Sequence, residues 1–186
     1  MPRIVFTALI LLLAGCTAGT RYTIDIDVLS FVPQDQRTLN IPAGSGSLLF
    51  PGANQEGQLV PLPTRLDILE RGQIRVSARL QNTGSTPLLV NYELRLAPES
   101  DTNLGDNSGG DIGVGSGSAT VPVGQTQPIE INLTLSDSEN KSALDIIRAG
   151  SFRVAVRVGS SGSGGSLTLE QGEIRVTGRP FALIGN

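Results

Sequence analysis

Gln73-Ile74-Arg75-Val76-Ser77-Ala78-Arg79-Leu80-Gln81-Asn82-Thr83-Gly84-Ser85-Thr86-Pro87-Leu88-Leu89-Val90-Asn91-Tyr92-Glu93-Leu94-Arg95-Leu96 is the stretch that decides the fold class. Ile74, Val76, Ala78 and Leu80 alternate with Arg75, Ser77, Arg79 and Gln81, the period of two that a half-buried strand requires. Asn82 to Pro87 is turn chemistry, rich in residues that bend or cap the backbone. The alternation then resumes, with Leu88, Val90, Tyr92, Leu94 and Leu96 opposing Leu89, Asn91, Glu93 and Arg95. Two alternating runs around a short turn predict a β-hairpin.

The same signal recurs on either side. Tyr22, Ile24, Ile26 and Val28 alternate with Thr23, Asp25 and Asp27, and further strands are predicted at 119–123, 129–135, 152–158 and 167–177. Residues 33–65 carry Pro33, Pro42, Pro51, Pro61 and Pro63, which break the chain into short edge strands and loops. Twenty-three Gly and eleven Pro without any Trp suit many short strands better than a helical bundle. The predicted fold is therefore all-β, an immunoglobulin- or fibronectin-like antiparallel β-sandwich. One short helix is expected near residues 137–149: Ser136 and Glu139 have capping-box spacing, Asp137 and Lys141 are an i,i+4 pair, and Gly150 is placed to stop it. The Gly159–Ser166 run reads as a flexible connection.

A near-repeat separates two strands by one hundred residues. Leu69-Glu70-Arg71-Gly72-Gln73-Ile74-Arg75-Val76 returns as Leu169-Glu170-Gln171-Gly172-Glu173-Ile174-Arg175-Val176, with Arg79 and Arg179 closing the two copies. A Gly between alternating runs suggests a bulge or bend in each. Two explanations stand: duplication of half a sandwich, or two strands sharing bulge chemistry.

Chemistry is sparse. Histidine is absent, which removes the commonest general base and zinc ligand and any Ser-His-Asp or Cys-His arrangement; no catalytic residues and no enzyme activity are predicted. The formal charge of -3, from 14 basic and 17 acidic residues, provides no field for nucleic acid. Residues 99–111 form the one dense run of hard oxygen ligands, so Asp101, Asn103, Asp106 and Asp111 are candidates for weak calcium binding; the order departs from an EF-hand loop, and a mobile solvated loop is the alternative. Arg75, Arg79, Arg95, Arg153, Arg157 and Arg175 all fall on outward-facing positions, a candidate stripe for phosphate or carboxylate, or equally a charge pattern that keeps a sheet soluble.

The first sixteen residues place the chain rather than explain it. Arg3, the apolar run from Ile4 to Leu13, and Leu13-Ala14-Gly15-Cys16 resemble a bacterial lipoprotein signal. The resemblance implies removal of residues 1–15, a diacylglycerol and an N-acyl chain on Cys16 as the sole added groups, and no other cofactor. Two or three acyl chains exceed what marginal one-chain attachment provides, at about 0.8 kcal/mol per buried CH₂. Cys16 is the one cysteine, so an internal disulfide is excluded. Residues 16–21 would be the anchor and tether, and residues 22–186 a single domain. Thr17 after the cysteine, where Asp would favour inner-membrane retention, implies an outer-membrane position in a two-membrane cell envelope. The partners implied are the membrane, through the anchor, and an envelope protein or polysaccharide.

From Gln73 to Val158 the order of parts also resembles the LEA14, or water-stress-hypersensitive-response, type of domain. The matching pieces are Ile74–Leu80, Asn82 before a turn, Leu88–Leu96, Ile112-Gly113-Val114-Gly115-Ser116-Gly117, Val121-Pro122-Val123-Gly124, Ile129–Leu135 and a helix before Gly150. That family's Asn-Pro turn stands here as Asn82-Thr83-Gly84, a turn that bacterial immunoglobulin-like modules also use. This resemblance implies a stress-protective role shielding envelope proteins, as the alternative to a non-catalytic binding, structural or assembly module.

Overall fold

The alternating runs become strands in a computed structural model, which describes residues 21–51, 55–62, 66 and 68–179. Among these lie β1 (Tyr22–Asp27), β2 (Thr38–Ile41), β3 (Gly46–Phe50), β4 (Gln58–Val60), β5 (Leu69–Asn82), β6 (Leu88–Pro98), β7 (Ile112–Val121), β8 (Thr126–Ser136), helix α1 (Lys141–Arg148), β9 (Phe152–Gly162) and β10 (Gly165–Gly178). The first sheet has the order β1-β10-β5-β8, with β2 continuing beside β10; the second has β3-β9-β6-β7, with β4 continuing beside β9. Every pairing is antiparallel. The two sheets pack as a β-sandwich, the class the alternation predicts. Their wiring is the double Greek key of a jelly roll: the chain repeatedly crosses between sheets, and the first strand pairs with the last.

The predicted hairpin is corrected by this wiring. β5 lies in the first sheet and β6 in the second, so residues 82–87 form an arch over the end of the sandwich. Both strands still face their apolar residues inward. Ile74, Leu80, Leu88, Leu94, Leu96, Leu135, Phe152, Ile174 and Val176 are all buried in one core cluster. Each such side chain contributes about 1.5–3 kcal/mol relative to exposure.

Asn82 locks that arch. Its Nδ2 donates to the carbonyls of Thr86 (2.8 Å) and Val121 (2.9 Å), and its Oδ1 accepts from Gly84 N (2.9 Å) and Ser163 Oγ (2.7 Å). Its backbone N–H donates to Gln125 O at 3.0 Å. One buried amide thus joins the 82–87 arch, the β7–β8 turn and the β9–β10 connection. The expectation of a flexible Gly159–Ser166 run fails for the same reason: β9 extends to Gly162, β10 begins at Gly165, and Ser163 is buried against Asn82.

The near-repeat is resolved as a pairing. β5 and β10 are antiparallel neighbours with Ile74 opposite Ile174, Gly72 opposite Val176, and Val76 opposite Gly172. The register slips once past Glu170 and once past Glu70, so the two bulges are related by the same local two-fold. So are the ion pairs they make, Arg79 with Glu170 and Arg179 with Glu70. Two strands that pair about a pseudo-dyad face similar steric demands at equivalent positions, a symmetry that shared bulge chemistry and duplication of half a sandwich both produce. The equivalence is imperfect at the glycines. A Cβ at Gly172 would lie 3.4 Å from Val28 Cβ, ordinary contact, whereas one at Gly72 would lie 3.1 Å from Leu135 Cδ1 and 3.2 Å from Val176 Cγ1. Urea unfolding should therefore find Gly172→Ala neutral to stabilising, by up to about 1 kcal/mol, and Gly72→Ala destabilising by about 1–2 kcal/mol through overpacking.

The opposite end of the sandwich carries α1. The helix begins at Lys141, four residues later than Asp137, because Ser136 and Glu139 close a turn on each other's backbone and Asn140 is left-handed at φ 55°. The Ser136 hydroxyl meets Ser138 Oγ and does not cap the helix. Lys141 pairs with Asp145 rather than Asp137, which is taken by Arg148 at 2.7 Å. Arg148 also donates through Nε to Leu69 O at 2.8 Å, tying α1 to the start of β5, and its hydrogen bond holds the Asp137 carboxyl below its ordinary pKa. Gly150, at φ 114°, ends the helix where expected.

Candidate functional site

The six arginines do not form one stripe. Arg75, Arg79 and Arg175 stand on the first sheet's outer face and Arg95, Arg153 and Arg157 on the second's, with the core between them. On the first sheet the charges are matched: Arg175 binds Asp25 and Glu173, Arg79 binds Glu170, and Arg75 sits opposite Glu173 and Asn132. This is a cross-strand ladder of mixed sign.

On the second sheet the arginines and the oxygen-rich loop, read separately from the sequence, come together. Residues 99–111 connect β6 to β7 and fold back over the outer face, where Leu104 is fully buried against Ala97 and Ala155. Leu104 N also donates to Gln55 O at 2.9 Å. The expectation of a mobile solvated loop is thus corrected. A small apolar cluster fastens it.

Three arginines complete the attachment. Arg95 has the outward parity expected, yet the loop covers it and leaves it 1% exposed. Its guanidinium binds Asp111 Oδ2, Glu93 Oε2 (2.8 Å) and Asn107 Oδ1 (2.7 Å). Burial alone would lower its pKa, but the hydrogen bonds and charges of Asp111 and Glu93 outweigh that and raise it, so the buried group stays a cation. Arg153 Nε donates to Glu99 O at 2.9 Å, and Arg157 Nη2 to Gly105 O at 2.6 Å. The anions and dipoles these arginines meet belong to the chain itself.

The four loop residues considered for calcium are engaged in the same way. Asp111 is taken by Arg95, so a guanidinium stands where a metal charge would otherwise balance it. Asp106 accepts from Ser108 N (2.8 Å), Ser108 Oγ (2.7 Å) and Asn103 Nδ2 (2.8 Å); the Ser108 hydroxyl and backbone bonds hold its carboxyl below the usual range. Asp101 Oδ1 accepts from Asn103 N at 2.9 Å, and Asn103 Oδ1 from Gly105 N at 3.3 Å. Asp101 Oδ2 and Asp111 Oδ1 are buried without a hydrogen-bond partner, but no group of three or more acidic ligands converges among the described residues. Cys16 lies outside the described residues.

Beside the loop, the outer face of the second sheet is hollowed. The register aligns Ser47, Gly159, Asn91 and Ser118 in one row across β3, β9, β6 and β7, and Leu49, Arg157, Glu93 and Ser116 in the next. Two adjoining hollows, of ≈ 390 and ≈ 450 Å³, meet at Ser47 and Arg157. Gln55 and Gly105 contribute to the wall of the first, which wraps the β3 edge, with Leu49 on its outer side and Leu48 and the first sheet's Leu39 on its inner side. At the junction Arg157 lies 3.5 Å from Glu93, whose other neighbour is the buried Arg95. Sequence reading missed this trough because its rows come from four strands whose pairing is not local.

No family model matches the chain, and no curated protein does. Among solved structures it is similar to a chain in infectious bursal disease virus, Gx strain, at 12% identity and a TM-score of 0.46, covering 89% of this chain and 35% of that one. It thus spans about a third of that viral chain. It is also similar to the Eiger TNF from S. frugiperda, at 9% identity and a TM-score of 0.34 over 73% of this chain and 92% of that one. A third similar structure, of Bacillus endospore appendages, has 11% identity and a TM-score of 0.26, covering 88% and 94% of the two chains.

Proposed function

We propose that the chain is a lipid-anchored envelope lipoprotein whose β-sandwich acts as a non-catalytic binding, structural or assembly module. The observation that carries this reading is the order Arg3, apolar Ile4–Leu13 and Leu13-Ala14-Gly15-Cys16, with Cys16 the single cysteine of 186 residues. Residues 17–20 span at most about 14 Å at 3.3–3.6 Å each, so the sandwich is held close to the bilayer. Tyr22 pairs with Gly178, beside Leu69, so the chain enters at the end that carries α1. That end would face the lipid, and the Asn82 arch would point away from it.

The test is fractionation of the native envelope with mass spectrometry of the purified chain. Wild type should partition with membranes and carry acyl mass on Cys16, and Cys16→Ser should move to the soluble fraction. An unmodified thiol on a chain that retains residues 1–15 would overturn the reading.

A further inference from the structure

We propose that the trough on the outer face of the second sheet binds a glycan, an extended polyhydroxylated chain lying across β3, β9, β6 and β7. This deepens the binding-module reading and rests on it for the envelope setting alone. Each hollow falls in the roughly 300–1,000 Å³ range of small-ligand sites, and the two adjoin, sharing Ser47 and Arg157 in their linings. The two outward rows carry Ser47, Gly159, Asn91 and Ser118, then Leu49, Arg157, Glu93 and Ser116, with no aromatic residue of the kind that anchors protein interfaces.

The lining chemistry matches hydroxyl groups. A sugar hydroxyl both donates and accepts, so its site needs both functions; Ser47, Ser116, Ser118 and Asn91 supply both, Arg157 donates and Glu93 accepts. The charges of Arg157 and Glu93 cancel, which favours neither a polyanion nor a polycation. Leu49, outward beside Arg157, gives the trough an apolar flank at its β3 end against which the C–H face of a sugar ring can lie. Two of the polar groups, Arg157 and Glu93, are also held in advance. Gly105 O fixes Arg157, and Arg95, locked by Asp111, fixes Glu93. Side chains already ordered lose little entropy on binding. The loop over residues 99–111 is on this reading the wall that positions the trough.

The experiment uses the full chain purified in detergent, applied to an array of neutral, N-acetylated and uronic-acid oligosaccharides, followed by titration of the best-bound oligosaccharide. Binding by wild type is expected, weakened at least ten-fold by Ser118→Trp, which fills the trough from an exposed edge-strand position, and by Asn91→Ala. Arg157→Lys should also weaken it, because an ammonium cannot fork onto neighbouring hydroxyls. Thermal midpoints identify any variant that fails to fold. Cys16→Ser should bind as wild type does, so loss of anchoring and loss of glycan binding are read separately. Absence of binding to every oligosaccharide, or equal binding by wild type and folded Ser118→Trp and Asn91→Ala, would overturn the proposal.

Discussion

Arg95→Ala is expected to destabilise the protein by about 3–5 kcal/mol, because it strands the Asp111 carboxylate in a dry site. The side chains of Arg95 and Asp111 are 1% and 0% exposed, so water cannot replace the lost guanidinium without opening the loop. The reciprocal variant, Asp111→Ala, should be nearly as damaging, since it leaves a buried cation with only Glu93 and Asn107. Arg95→Met combined with Asp111→Leu should regain most of the loss, because replacing both ends of a buried pair removes the uncompensated charge along with the interaction. Urea unfolding of the four proteins measures the coupling. Limited proteolysis would locate it: cleavage within residues 99–111 ahead of global unfolding is expected for either single variant, whereas equal protection of all four would show that the pair does not hold the loop.

Asn82→Ala should cost about 3 kcal/mol, lowering the thermal midpoint by roughly 6–12 °C for a chain of this size. The substitution removes four hydrogen bonds at a residue 1% exposed, and it leaves the Val121 carbonyl and the Gly84 N–H without their partner, while Thr86 O keeps Ser163 Oγ. Asn82→Asp, of nearly the same volume, should be no better, since a carboxylate facing two carbonyl oxygens repels where the amide donated. Ser163→Ala should be milder, because Ser163 Oγ has one proton to place on Asn82 Oδ1 or on Thr86 O. A loss below about 1 kcal/mol for Asn82→Ala would mean that turn propensity, not this amide, holds the arch.

Legibility followed the range of the interaction. The period of two along 74–81 and 88–96 depends on each strand having one wet and one dry face, a local property, and it survives in the sandwich. The claim that those two strands pair did not survive, because a six-residue connection serves a hairpin and an inter-sheet arch equally well. The amide that chooses between them draws on Val121 and Ser163, which are distant in sequence. Ser136 and Glu139 had the spacing of a capping box, but their backbones closed a turn first and the helix started later. Arg95 had the outward parity of a solvent residue, and nothing in its own strand announces that residues 99–111 will fold over it.

By itself, the sequence determined the antiparallel β-sandwich class, the inward and outward faces of its main strands, the stop of the helix at Gly150 and the mixed-charge outer face of the first sheet. These follow from alternation and backbone chemistry over a few residues. Tertiary structure decided the jelly-roll wiring, the pairing of the two near-repeats about Ile74 and Ile174, the seating of the oxygen-rich loop on three arginines, and the trough beside it. Each of these joins residues far apart in the chain, and their register is set by which buried polar groups can be satisfied together once the two apolar faces have closed.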